Sequence, residues 1–205
     1  MSNLFRSNPD VKKNAYFNWR RSDFPNRDFL QQSEKYKQSG DFLLAQIGEN
    51  RTKTADIVIE PAIYLYRHSI ELLLKAILIS EYLMKDVTIN EIKKKVKGHY
   101  LNDLWSKAKD TIKIYLKKEI ENDPGKLEEM EQALLALHYL DKDSTQFRYP
   151  YNLKLEKQMA GNGEISYAID YNHFKKEFHK LYVFLKGCYD VIENCYQEQE
   201  IIRIF

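Results

Sequence analysis

Turn formers are scarce in this chain. Seven glycines and five prolines among 205 residues are too few for a doubly wound α/β sheet, a many-stranded sandwich or a low-complexity linker, all of which consume such residues. Cysteine is scarcer still. Cys188 and Cys195 are the only two; their spacing in one helical pattern sets them on one face about 10 Å apart, too far for a disulfide. They read as buried thiols in a reducing compartment, with a contact across an oligomer interface as the alternative. Net charge is small, +2 from 32 basic and 30 acidic residues. That argues against attachment to nucleic acid by bulk positive charge and leaves room for a local patch. No window reaches the eighteen or so uncharged apolar residues of a membrane span, and the start MSNLFRSNPD has no apolar leader core. The expectation is a cytoplasmic protein with no membrane association.

What the chain has in quantity is helical periodicity. Its 43% hydrophobic content supplies one core rather than two. Residues 1–26 are polar but carry Phe5, Tyr16, Phe17, Trp19 and Phe24, which suggests an aromatic arm lying on a single helical domain of residues 27–205. A first helix follows Asn26 as N-cap, interrupted at Gly40 and closed by Gly48. Thr54 opens the longest apolar stretch, where Pro61 marks a kink or a first turn. Between Leu72 and Ile79 only Lys75 is polar, so this second helix is expected at the centre, buried almost all round. A small helix in INEIKKKVKG, a long one over Tyr100–Lys118, another over Lys126–Leu140 and a last from about Asn172 complete the set. Alternation around Gly161-Asn162-Gly163 suggests a short irregular or β-hairpin insertion before that last helix. The fold class is therefore all-α, an up-and-down bundle of four to five helices.

The candidate site begins in the central helix. His68, Glu71 and Lys75 stand at i, i+3 and i+7 with Arg67 one turn before Glu71, so four polar groups share one sector of an apolar helix. Buried charge costs several kcal/mol per ion unless paired. The sector is either an ion network that sets helix register or the lining of a cleft completed by other segments. Two segments are placed to complete it. Gly98-His99-Tyr100-Leu101 stands at a helix start, where free backbone N–H groups favour an anion and His99 becomes a candidate acid or donor. In Phe147-Arg148-Tyr149-Pro150 the proline stiffens the loop, so Arg148 grips phosphate or carboxylate, caps a helix C-terminus or pairs with Glu71.

These three segments, YLYRHSIELLLKAIL, GHYLNDLW and FRYPY in that order, resemble the HEPN superfamily of helical bundles over roughly residues 27–200. The resemblance implies a homodimer from a bacterial stress or phage-defence system, or a toxin–antitoxin pair, and in many members a metal-independent ribonuclease. The ribonuclease members carry an Arg, then four to six residues, then a His. Here no Arg stands at that distance before His68, His99, His138, His173 or His179. The expected function is accordingly binding of RNA or a nucleotide phosphate, with Arg67, Glu71, Lys75 and Tyr149 as ligand-binding residues. An atypical endoribonuclease using His68, His99 and Arg148 as catalytic groups is the alternative. A non-enzymatic adaptor or antitoxin-like subunit, joined to a protein encoded nearby, is the third. The chain has no GxxxxGK[ST], GxSxG, HExxH or CxxC pattern, so no cofactor or metal is implied.

Charge is unevenly spread as well. Nine lysines face three acids from Glu91 to Lys118, whereas six acids face one lysine from Glu119 to Glu131. Such a run reads as a solvated helix face or as a track along a phosphate backbone.

Overall fold

The computed structural model describes residues 8–15, 21–48, 52–158 and 168–204. A 3₁₀ turn, Val11–Lys13, precedes seven α-helices in the described residues: α1 Pro25–Ala45, α2 Thr52–Met84, α3 Ile89–Lys95, α4 Leu101–Tyr115, α5 Lys117–Asn122, α6 Pro124–Leu140 and α7 Tyr171–Ile204. The all-helical class follows from the periodicity. From Ser69 to Glu81 every residue of α2 is buried, so this helix is the axis of the core, and α1, α4 and α7 all pack on it. Its aliphatic side chains each contribute roughly 1.5–3 kcal/mol on burial. The inward stripe Leu127, Met130, Leu134, Leu137 and His138 of α6 is buried as the spacing predicts, and Leu101, Leu104, Trp105, Ala108 and Ile112 form that of α4. Tyr115, expected on the same stripe, is only half-buried.

The order of the bundle is not simply up-and-down. Asn26 meets Ser80 and Ser33 meets Ser69, so α1 runs antiparallel to α2. Contacts of Glu71 with His99 and of Glu81 with Thr111 make α4 parallel to α2. The connection between them must return along the bundle, and α3 lies on that return path. Tyr66 with Phe178 and Ser80 with Glu193 make α7 parallel to α2 also.

Several boundaries differ from the sequence reading, each for a local reason. Phe24 is the N-cap of α1 and Pro25 its first residue, a position where the missing proline N–H costs nothing. Asn26 is not a cap: it is fully buried, and its amide bonds Ser80 and Glu193. Helix α1 runs straight through Gly40, where a Cβ would lie 3.0 Å from the Tyr66 ring. Glycine stands there for close helix packing, not as a break. Pro61 is inside α2. The expected third helix divides at Leu116, whose backbone (φ −113°, ψ 33°) leaves the helical region.

Of the expected hairpin, only residues 153–158 and 168–171 lie among the described residues. Leu153 to Gln158 form turns, with one isolated bridge between Tyr151 and Lys157, because the Asn152 side chain accepts from the backbone N–H groups of Lys154 and Glu156 and curls the segment on itself. Gly161-Asn162-Gly163 and the aromatic residues Phe5, Tyr16, Phe17 and Trp19 of the expected arm lie outside the described residues. No described helix is long and apolar enough to cross a membrane. Both cysteines are free, Cys188 buried and Cys195 half-buried; burial pushes the Cys188 thiol up to about 12.

Candidate functional site

Helical spacing puts Arg67, His68, Glu71 and Lys75 on one side of α2, and Glu71 is the centre of what they build. The carboxylate is 1% exposed. Lys75 donates to its Oε1 at 2.8 Å, Arg67 donates to Oε2 at 3.3 Å, and His99 Nδ1 lies 2.9 Å from Oε1. His68 Nδ1 stands 3.8 Å from Oε2, close enough for electrostatic attraction but not for a hydrogen bond. Burial alone would raise the pKa of Glu71, but His68, Lys75 and His99 outweigh it and hold the carboxyl well below the usual range.

Arg67 is fully buried, and each of its three nitrogens donates inside the fold. Its Nε donates to the Asp141 carbonyl at 2.7 Å, while one terminal nitrogen donates to the His99 carbonyl at 2.7 Å and to the Lys142 carbonyl at 3.4 Å. The Asp141 carboxylate lies 3.6 Å from Nε. Burial lowers the proton affinity of Arg67, and the Asp141 and Glu71 carboxylates offset part of that loss. Arg67 is therefore a staple joining α2, the segment before α4 and the loop after α6. Expected as a ligand-binding residue, Arg67 has its side chain turned wholly inward here. Lys75, whose side chain is 10% exposed, is committed to Glu71 in the same way.

Three side chains of the cluster face outward. The His99 side chain is 61% exposed. With Nδ1 turned to Glu71, its Nε2 is left to the outer side. His99 does not cap α4: Tyr100 is the N-cap and has no side-chain cap bond. Gly98, at φ 104°, supplies the left-handed turn that directs His99 back toward α2. His68 is half-buried between two tyrosines, stacked on Tyr64 at 5.9 Å and meeting Tyr36 edge-on at 4.5 Å. Arg148 is exposed, its guanidinium 5.6 Å from the Tyr64 ring centre and 5.4 Å from that of Tyr149. Its Nε donates to the carbonyl of Ser144 at 2.5 Å, and Ser144 is held at φ 64° in a left-handed conformation uncommon for serine. Arg148 pairs with no carboxylate among the described residues, so neither the ion pair with Glu71 nor a helix cap describes it.

His68, His99 and Arg148 thus gather on one side of the bundle, linked through Glu71 and the stacked Tyr64. Tyr149 joins them beneath Arg148, half-exposed at 53%. Tyr36, Tyr64 and Asp141 belong to the arrangement and escaped the sequence reading. Tyr64 carried a signal, since it stands four residues before His68 on the same helix. Asp141 carried none. His138, on the α6 stripe, is buried beside this region; burial, with Arg67 and Lys142 nearby, lowers its proton affinity.

Chemically the outer face offers one permanent cation over an aromatic support and an outward imidazole nitrogen that donates when the ring carries both protons, an arrangement for an anion. Among the described residues no three His, Cys, Asp or Glu side chains are grouped to hold a metal ion. Among the described residues, three grooves that open elsewhere on the bundle are lined by other side chains. On the lysine-rich α4, Trp105 and Lys109 both donate to Glu131 of α6, so part of that face is occupied by an interhelical bridge. Comparison of the chain with protein-family models, with curated proteins and with solved structures gave no match.

Proposed function

We propose that this chain binds a phosphate group of an RNA or nucleotide at the face formed by His68, His99 and Arg148, as a HEPN-like protein of a bacterial stress or defence system without the standard nuclease pair. The observation that carries the reading is the Glu71–His99 contact. A buried carboxylate fixes Nδ1 of a ring whose other edge is open, which orients one hydrogen-bonding nitrogen outward. Arg148 adds a planar cation suited to phosphate. Lys97 and its neighbours Lys93, Lys94 and Lys95 are exposed just before His99, which favours a phosphate-rich ligand. The resemblance of the three segments supplies the biological setting.

The test is titration of nucleoside monophosphates and of a labelled mixed-sequence oligoribonucleotide. Loss of one charge-assisted hydrogen bond is worth about 1.5–3 kcal/mol, so His99→Ala and Arg148→Ala are each expected to weaken binding about tenfold or more. Wild-type affinity in both variants, or no binding by the native chain, overturns the proposal.

The same contact favours a second reading, in which a carboxylate-oriented imidazole acts as general base in metal-free RNA cleavage. His68 and Arg148 would then serve the leaving oxygen and the developing phosphorane charge. Cleavage of mixed RNA in the presence of chelator, abolished by His99→Ala, would support it; intact RNA after prolonged incubation would remove it.

A further inference from the structure

A groove of about 430 Å³ opens where α4, α5, α6 and α7 meet, away from the Glu71 cluster. Small-molecule sites occupy about 300–1,000 Å³. Its origin is local. The backbone leaves the helical region at Leu116, α5 lasts only from Lys117 to Asn122, and Asp123 leaves that region again before Pro124 opens α6. Two breaks so close together leave part of the α7 flank uncovered, and Phe184 and Val191 are only half-buried there. The floor is apolar. Leu116, Leu127 and Cys188 are buried, and Ile120 is half-buried. Lining from four helices suits a compact molecule better than a partner helix, whose anchors need a groove running along several turns.

The rim is acidic, within the run from Glu119 to Glu131 that holds six acids and one lysine. Glu119 and Asp123 both line the groove and are exposed, and neither is ion-paired among the described residues. The lysines beside them are taken. Lys117 stands 3.9 Å from Glu121, and Lys126, which also lines the groove, donates to Glu129 at 2.9 Å. Glu119 is near enough to the floor to act, after burial, on the Cys188 thiol. The two free carboxylates stand four residues apart, about one helical turn, so they repel each other mildly. A cation between them relieves that repulsion, whereas an anion adds to it.

We propose that this groove binds a small amphiphilic amine, its apolar body on Leu116, Phe184 and Val191 and its ammonium between Glu119 and Asp123. An ammonium has three donors, enough to reach both carboxylates and one water. Burial of the apolar body supplies affinity, and the carboxylate pair selects against acids of the same shape. The site is independent of the phosphate face, none of whose residues line the groove.

The experiment is isothermal titration of the full chain with octylamine, octanol and octanoate, each below the concentration at which it aggregates. At about pH 7 the amine is protonated. Octylamine is expected to bind one per chain, about threefold or more tighter than octanol and about tenfold or more tighter than octanoate. From hexylamine to octylamine the affinity should rise about fourfold per methylene. Glu119→Gln with Asp123→Asn, both at exposed positions, keeps the fold; it should bring octylamine to the level of octanol and leave octanol within about twofold. Ile120→Lys sets a cation on the floor and should weaken octylamine about tenfold or more, with a melting temperature within about 3 °C of native. Absence of saturable octylamine binding overturns the proposal. So does equal affinity for amine and alkanoate, an affinity indifferent to chain length, or an amine preference that survives the two amide substitutions.

Discussion

Glu71 and Glu193 are both carboxylates buried against α2, and their surroundings differ in one respect. Glu193 of α7 is 5% exposed. Ser80 Oγ donates to it at 3.1 Å, Arg27 Nε at 2.9 Å and Gln197 Nε2 at 3.1 Å, and the Asn26 amide donates as well. These partners come from α1, α2 and α7, and they close the bundle at that level. Glu71 is satisfied as fully, by Arg67, Lys75 and His99, but one of its partners is an exposed imidazole and another, Arg67, holds two connecting segments by their carbonyls. A buried carboxylate ringed by helix residues is a fastener. The same group reached by a surface histidine fixes the direction of a ring that faces outward.

The largest expected effect comes from removing the two carboxyl charges. Glu71→Gln leaves Arg67 buried with its counter-charge reduced, and should lower the free energy of urea unfolding by about 3–5 kcal/mol. Glu193→Gln keeps an acceptor for Ser80 and Asn26, and its Arg27 partner has a side chain 43% exposed, so about 1–2 kcal/mol is expected there. Equal losses would dissolve the distinction between the two sites.

Acid sharpens the contrast. The folded state holds Glu71 ionised well below the usual carboxyl value of 4.5, so the associated stability is complete above that pH. It declines as pH falls below it, because the unfolded chain takes up the proton first. Urea midpoints measured from pH 7 down to pH 3 should drop in the native chain, and the slope below pH 4.5 should be shallower in Glu71→Gln. An unchanged slope would mean that Glu71 is not held ionised by its neighbours.

The difference between the two sites was only half legible in the sequence. Arg67, Glu71 and Lys75 stand at i−4, i and i+4, and a helix brings such residues together whatever else the chain does. His99 was identified as a candidate from its place at a helix start, but the contact it makes is with a carboxylate 28 residues earlier, which no local pattern encodes. Arg67 reads as a ligand-gripping cation from its type; only the fold shows that backbone carbonyls of His99, Asp141 and Lys142 consume its donors. The Glu193 site was invisible. Asn26 looks like a helix cap because asparagine usually acts locally, and here a distant carboxylate outcompetes the cap. Gly40 reads as a break for the same reason, since its cause is the Tyr66 ring on another helix. Ahead of the expected hairpin, Asn152 curls its segment through side-chain bonds to Lys154 and Glu156, a local pairing that alternation does not reveal.

A smaller effect separates the outer residues from the inner ones. Arg148→Ala removes an exposed group and should change the unfolding free energy by less than about 1 kcal/mol, whereas His99→Ala also takes a bond from the buried Glu71 carboxylate and should cost about 1.5–3 kcal/mol. A loss as large as that of Glu71→Gln would show that they serve the fold instead of a ligand. Smaller again is the thiol contrast. At pH 8 an alkylating reagent should modify half-buried Cys195 well before Cys188, whose thiol burial raises to about 12. Mass spectrometry of the labelled chain reads the order, and equal rates would contradict the packing of α7.

The most direct measurement sets the open site against the closed one. Fluorescence anisotropy of a labelled mixed-sequence oligoribonucleotide compares the native chain with His99→Ala, Arg148→Ala and Arg27→Ala at one ionic strength. All three variants remove a basic group, but only the first two touch the Glu71 face. Affinity should fall about tenfold or more in those two and stay within about twofold in Arg27→Ala. Equal losses in all three variants, or no binding by the native chain, would contradict a phosphate site at His99 and Arg148.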